Sequence, residues 1–535
     1  MPIKLLYSTR LAFFCWLCLF LAGCSHNITQ TGPSSAPDNA NATAAVSLQS
    51  PTPTPAPAQY NEYTIKLDIQ PSERIVTGVE KIKVINPSND TFNKVYINVP
   101  LNAFSENASV QPVFDEFLDK AYPNGKDYGY MNFNNIYVDG EAVNYNLNET
   151  VLCIDLPEPL PPGESTEIRL ELEAKIPVMN NRTGSDGSNM WFGNFIPLLA
   201  VHDTEGWHTD PYYPVGDPFF ARASNFDVTV TTPAGYTAAG PGIPVVTDND
   251  DKVSTEFTLK LARDFAFSLS RDYSSSTLTT SSNIEISLYT FSDNVRDQAT
   301  DTESDQATDT ASSQVTNTAR AQEILSLASR SLEYYSNLLG AYPYSQLVIT
   351  ETRLFNKGGM SYPGVIFIDS DYMSAPDDDF ASITHAIGNQ WFYNIIGSNQ
   401  IENAWMDEGL DSFVQEGFML DGTELDIKME DAYDSLKHTI SQITPNTLHS
   451  SLGEFKSWSD YNSIQNIRAE LMFYSLYKKI GKEAFNSFLV EYNRRYSFRI
   501  ASPGDLIQTA EDISGMNLSA FFDAWINNPE LPPLT

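Results

Sequence analysis

A multidomain α+β chain is predicted, with an N-terminal antiparallel β-sandwich or saddle domain, then an α/β part and a helical C-terminal part. Three observations predict it. At 535 residues the chain is longer than one hydrophobic core serves. From Tyr60 apolar residues recur at every second position between turns rich in Pro and Gly. From Ala319 they recur at helical spacing, broken by two short apolar runs that read as strands.

The first residues read as a targeting segment. Lys4 and Arg10 make a positive stretch, and Leu11 to Leu21 is apolar but short for a membrane span. Leu21-Ala22-Gly23-Cys24 resembles a bacterial lipobox. That resemblance implies a signal peptide over 1–23, a lipid on Cys24, and attachment to the outer side of a bacterial cell membrane. The other reading is an ordinary secretory signal. Residues 24–59 are rich in Ser, Thr, Ala and Pro, end in Pro51 to Pro57, and read as an extended tether. Cys15 and Cys18 leave with the signal, so Cys153 has no disulfide partner. Its place in the run Val151 to Leu156 reads as that of a small buried hydrophobe.

The β domain is expected over 60–273. Tyr63 to Ile69, Val79 to Ile85 and Ile168 to Glu173 alternate apolar and polar residues. His202 and His208 lie in it without metal spacing and read as structural or surface histidines. Asp297 to Thr310 repeats a short acidic unit, so 296–318 is expected to be a disordered insertion within a 274–424 domain. Ile324, Leu325, Leu327, Ala328 and Leu332 form one helical stripe, and Val348 to Thr352 and Val365 to Ile368 read as strands. Asp377, Asp378 and Asp379 suit the first turn of a helix that carries His385 and ends near Gly397. Trp405 to Met419 is a second helix, and 425–535 is helical, with amphipathic segments at Ala469 to Tyr477 and Phe485 to Tyr496.

The stretch Thr384 to Glu416 carries the chemistry. A metallopeptidase zinc helix reads H-E-x-x-H, because residues four apart share one face and two imidazoles can grip one metal. Here His385 holds the first position, Ala386 the glutamate position and Asn389 that of the second histidine. Glu408 stands on the next helix, where a third ligand belongs. Two ligand-grade groups are kept and the base is gone.

Gln390-Trp391-Phe392, Asn394 and Trp405 to Gly409 resemble the gluzincin aminopeptidase family, whose signature is H-E-x-x-H, eighteen residues, Glu. Gly358-Gly359-Met360-Ser361 resembles its G-x-M-E-N segment, and Gly216-Asp217-Pro218 and Tyr236 to Gly240 resemble its N-terminal domain. The resemblance covers roughly 60–530 and implies a thermolysin-like α/β catalytic-type domain. It implies that Gly358, Gly359, Met360 and Ser361 line a substrate site, with Ser361 in place of the glutamate that binds the substrate amine. It also sets Asn466-Ile467-Arg468-Ala469 on the family's Y-x-K-G segment, so that Asn466 replaces an oxyanion-binding tyrosine, with Tyr461 close by as another register.

Two readings follow. One is a catalytically impaired, surface-anchored relative with no cofactor, binding peptides or a protein partner. The other is an active zinc aminopeptidase with substituted groups, His385 and Glu408 holding the metal. Nucleic acid is excluded as a partner through overall charge: 32 Lys and Arg against 68 Asp and Glu leave −36, which repels phosphates.

Overall fold

Alternation builds the first part. Along Glu62–Gln70 every second side chain is buried, from Tyr63 to Ile69, and Ser165–Lys175 repeats the pattern. Such strands bury one face and join edge to edge. Eight lie side by side: Val245–Asn249, Lys252–Ala262, Ser224–Pro233, Glu62–Gln70, Ile75–Ile85, Ser165–Lys175, Tyr130–Val138 and Glu141–Ala142. The expected antiparallel character holds except between Glu62–Gln70 and Ser224–Pro233, which run parallel. Those two are far apart in sequence, so no hairpin dictates their direction. Two four-stranded sheets and a two-stranded one complete this part.

The structure, a computed structural model, describes residues 60–292, 310–356, 358–373, 381–443 and 445–534. The expected signal segment, tether and Cys24, most of the acidic repeat, and Asp377 to Asp379 lie outside the described residues. No described helix is long and apolar enough to cross a membrane.

From Tyr273 the chain builds a five-stranded sheet, ordered Tyr273–Thr279, Glu285–Phe291, Gln346–Thr352, Val365–Asp369 and Gly359–Tyr362. Its two central pairings are parallel. A parallel pair needs a long crossover, and the helix Thr310–Leu339 supplies one, burying Ile324, Leu325, Leu327, Ala328 and Leu332. This corrects part of the insertion expected over 296–318: from Thr310 the backbone is helical. No Pro or Gly stands between 310 and 339, so nothing stops the helix from running ahead of its apolar stripe.

The helix carrying His385 spans Ala381–Asn389 and then widens into a π-helix over Gln390–Ile395, short of the expected end at Gly397. A second π-helix, Asn462–Arg468, carries Asn466. Trp405–Met419 is helical as expected, and the C-terminal helices include Ala469–Ile480 and Lys482–Tyr496. Trp391, Phe392 and Trp405 are core residues. Cys153 is only half-buried, against expectation. In Val151–Leu160 the inward face belongs to Leu152 and Ile154, and alternation turns Cys153 to the other side. His208 pairs with Asp203 (2.8 Å), and His202 stands edge-on to Trp207, so both are structural.

Candidate functional site

Three elements bring the predicted residues together. The edge strand Gly359–Tyr362 supplies Gly359, Met360 and Ser361, the helix Ala381–Asn389 supplies His385 and Asn389, and Trp405–Met419 supplies Glu408. With Asn466 they line one cavity of about 150 Å³. Gly358 is not in its wall, and neither is Ala386. Ala386 is buried, and its methyl lies against Gly359, where an added Cβ would touch it at 3.4 Å.

His385 is held by carboxylates on both sides. Its Nε2 is 3.5 Å from Glu408 Oε2 and its Nδ1 is 3.3 Å from Asp411 Oδ2. Asp411 follows Glu408 by three residues, so both project from one helix face. Burial pulls the His385 imidazole down, but Asp411, Glu408 and Asp407 outweigh it and push it up to about 9. Burial raises Asp411 to about 7, while the imidazole and the Tyr335 hydroxyl (2.9 Å) hold it down. Gly388 makes this possible: a Cβ there would collide with the Asp411 carboxylate and the Tyr335 hydroxyl.

Both oxygens of Glu408 accept a hydrogen bond. Tyr461 donates its hydroxyl to Oε1 (3.2 Å), and Asn466 donates its amide to Oε2 (2.8 Å). Both residues of the two possible registers therefore face Glu408. The amide oxygens of Asn389 and Asn466 are buried without a hydrogen-bond partner. Among the described residues no group of three or more His, Cys, Asp or Glu side chains is placed to hold a metal ion.

Ser361 is fixed by two amides. Gln390 donates to its Oγ at 2.8 Å and Asn394 at 3.1 Å. Gln390 also donates to the Tyr362 carbonyl and accepts from the Tyr342 hydroxyl and the Gly364 amide, so its own groups are satisfied. Opposite stands an ion pair that sequence reasoning did not single out. Arg182 donates to Asp217 Oδ1 at 2.6 Å and to the Gly216 carbonyl at 2.9 Å. Asp411 was also missed, although its i+3 position from Glu408 was a usable signal; Arg182 had none, being remote in sequence from every motif.

The Peptidase family M1 domain matches residues 323–525. Human endoplasmic reticulum aminopeptidase 2 is 22% identical over 394 residues, covering 68% of this chain and 37% of that protein. Aminopeptidase 2 of Candida albicans is 20% identical over 223 residues, covering 39% of this chain and 24% of its own length. The chain thus spans well under half of these curated relatives. In fold it is similar to the M1 zinc metallopeptidase of Deinococcus radiodurans, at TM-score 0.60 and 17% identity, over 89% of this chain and 94% of that one. A variant of the Deinococcus enzyme bound to a Tyr-Ser-Ala substrate aligns with the same TM-score, 0.60. A β domain joined to a helical part, the matched domain and these relatives agree with the motif frame around His385 and Glu408, and together they support the M1 family of gluzincin aminopeptidases, whose domain residues 323–525 match.

Proposed function

We propose that this chain is a catalytically impaired aminopeptidase-like protein, anchored outside a bacterial membrane through a lipid on Cys24, that binds peptides or a protein partner at the cavity around His385. The observation that carries this reading is the state of the ligand corner. His385 and Glu408 are the two ligand-grade side chains kept. The third corner is the Asn389 amide, a poor zinc ligand, and Glu408 already accepts from Tyr461 and Asn466. These residues do not fit a catalytic zinc site. A structural zinc site gains roughly 10–16 kcal/mol from about four ligands, so each missing one removes several. The general-base position is the Ala386 methyl, buried outside the cavity wall. A methyl moves no proton, and general-base catalysis contributes roughly 10²–10⁴-fold.

Binding survives these losses. The cavity of about 150 Å³ is smaller than the roughly 300–1,000 Å³ of a typical ligand pocket, so it takes one chain end or one side chain rather than a whole peptide. The side chains of Asn389 and Asn466 line the cavity and offer amide groups for hydrogen bonds to such a group. The test is zinc content of the purified chain after dialysis against a weak chelator, with aminoacyl-anilide hydrolysis and Tyr-Ser-Ala binding measured on the same sample. The expected result is far less than one zinc per chain, no turnover, and saturable tripeptide binding that weakens in Asn389→Leu. One tightly held zinc per chain, with turnover abolished by His385→Ala, overturns the reading in favour of an active zinc aminopeptidase.

A further inference from the structure

A second and larger cavity, of about 510 Å³, lies where the strands around Tyr60, Phe92 and His202 meet the segment Phe498 to Ile500. Its wall has a charge opposite to that of the chain. Arg222, Arg263 and Arg499 line it, and its one carboxylate, Asp203, is bonded to His208 at 2.8 Å. The whole chain carries −36.

Arg222 and Arg263 donate to neutral carbonyls, and Arg499 is exposed. Arg222 donates to the His202 carbonyl at 2.8 Å. Arg263 is only 5% exposed and donates to the carbonyls of Ala221 (3.0 Å), Ile395 (3.1 Å) and Arg499 (2.6 Å). Its Nε is buried with no partner. Gly397 leaves room for this guanidinium, which a Cβ there would strike. Among the described residues none of the three forms an ion pair. Carbonyls satisfy N–H groups but do not neutralise charge, and a buried uncompensated cation is costly. Burial lowers both Arg222 and Arg263; Asp203 offsets part of this at Arg222, while Arg222 lowers Arg263 further by repulsion.

Aromatic rings form another part of the wall. Phe92 and Trp207 lie 4.7 Å apart between ring centres, with the His202 ring 5.0 Å from Trp207. The backbone under Arg499 is pinned, because Gly397 donates to the Arg499 carbonyl (2.9 Å) and Ala501 to the Gly397 carbonyl (2.7 Å).

We propose that this cavity is a binding site for a small organic anion, its carboxylate or phosphate held by Arg222 and Arg499 beside Arg263 and its apolar body lying against Tyr60 and Trp207. Such a ligand supplies the missing counter-charge, and arginine forks match both anionic groups in a two-pronged manner. The site shares no lining residue with the His385 cavity. A smaller one, of about 50 Å³, lies between them and borrows Arg263 from one wall and Tyr393 from the other.

The test uses the full chain, with phenyl phosphate, phenylacetate and neutral phenylacetamide as probes, followed by titration calorimetry and tryptophan fluorescence at low salt. At least one anion is expected to bind saturably, and which one names the anionic group. Phenylacetamide should bind at least about tenfold more weakly, and Arg222→Gln should cost about tenfold or more in anion affinity. Arg499→Gln, at an exposed position, is the second arm should Arg222→Gln not fold. Trp207→Phe should keep binding and lose the fluorescence change. The proposal is overturned by equal binding of anion and amide, by anion binding that neither arginine variant weakens, or by no saturation with either anion at about 10 mM.

Discussion

Replacing Asp411 by Asn tests what holds the centre of the remnant site together. The carboxylates around His385 raise its imidazole from 6.5 to about 9 against the pull of burial, with Asp411 leading them. A rise of that size favours the imidazolium by about 3 kcal/mol. Asn keeps the shape of Asp411 and can still accept from the Tyr335 hydroxyl, so the fold should survive while the charge is lost. His385 in the Asn variant should titrate more than about one unit lower than in the parent chain. Histidine ring NMR between pH 5 and 10 reads this directly, since the chain has 6 His and His385→Ala identifies the signal. In the parent chain His385 should stay protonated through neutral pH. A ring that titrates near 6.5, or one that Asp411→Asn leaves unchanged, refutes the argument that carboxylates hold a proton where the family holds a metal.

Other predictions follow from the same reasoning. Glu80 is fully buried in the large sheet with both carboxylate oxygens unpartnered, and burial raises it well above 4.5. A raised folded pKa gives stability that is present below the unfolded value and lost as pH rises, so Glu80→Gln should raise the denaturation midpoint at pH 6, by on the order of 1 °C, and change it less at pH 4.5. An equal shift at both pH values would show that Glu80 is ionised and paired. Mass spectrometry of the native N-terminal peptide should find a lipid on Cys24, and an unmodified Cys24 would remove the anchor from the proposed function. Asn389→His alone should raise zinc affinity without turnover, whereas Ser361→Glu, Ala386→Glu, Asn389→His and Asn466→Tyr together should give measurable aminoacyl-anilide hydrolysis, because such groups act as a unit; a folded, zinc-loaded quadruple variant that cleaves nothing would show that the cavity itself has changed.

Much of the architecture was legible because it rests on local periodicity. Period-two runs became strands with the expected faces buried, and the stripe from Ile324 to Leu332 became the buried face of a helix. That His385, Asn389 and Glu408 share one cavity was legible because their spacing is itself helical geometry: His385 and Asn389 share a face, and Glu408 returns on the next helix. Contacts set by tertiary structure were not legible. The parallel pairing of Glu62–Gln70 with Ser224–Pro233 joins segments about 160 positions apart, and no local pattern encodes it. Arg182 meets Asp217 only because two segments distant in sequence come together in the cavity wall. The π-helix at Gln390–Ile395 departs from the α pitch that sequence periodicity assumes.

In the proposed reading, the asparagine at 389 and the carboxylate of Asp411 belong to one electrostatic problem. A buried site holding Asp407, Glu408 and Asp411 needs positive charge or many hydrogen-bond donors, and a dication supplies it in a working metallopeptidase. With Asn389 and Ala386 in the signature positions, the described chain meets that need with groups of its own. His385 stands between Glu408 and Asp411, which favour its protonated form, while Tyr461 and Asn466 donate to Glu408. Asp411 is compatible with either solution, since a carboxylate behind a histidine also orients it toward a metal. What tips the balance is the competition at Glu408. A metal arriving there must displace the proton on His385 and at least one of the two donors, and a single new histidine at 389 offsets only part of that. Metal affinity in Asn389→His should therefore rise steeply with pH as His385 gives up its proton. Changing Asn466 in the same molecule should strengthen metal binding further by freeing one Glu408 oxygen. If the gain from Asn389→His is the same at pH 6 and pH 9, the proton is not the competitor, and the proposed weak metal binding must rest on the engagement of Glu408 by Tyr461 and Asn466 alone.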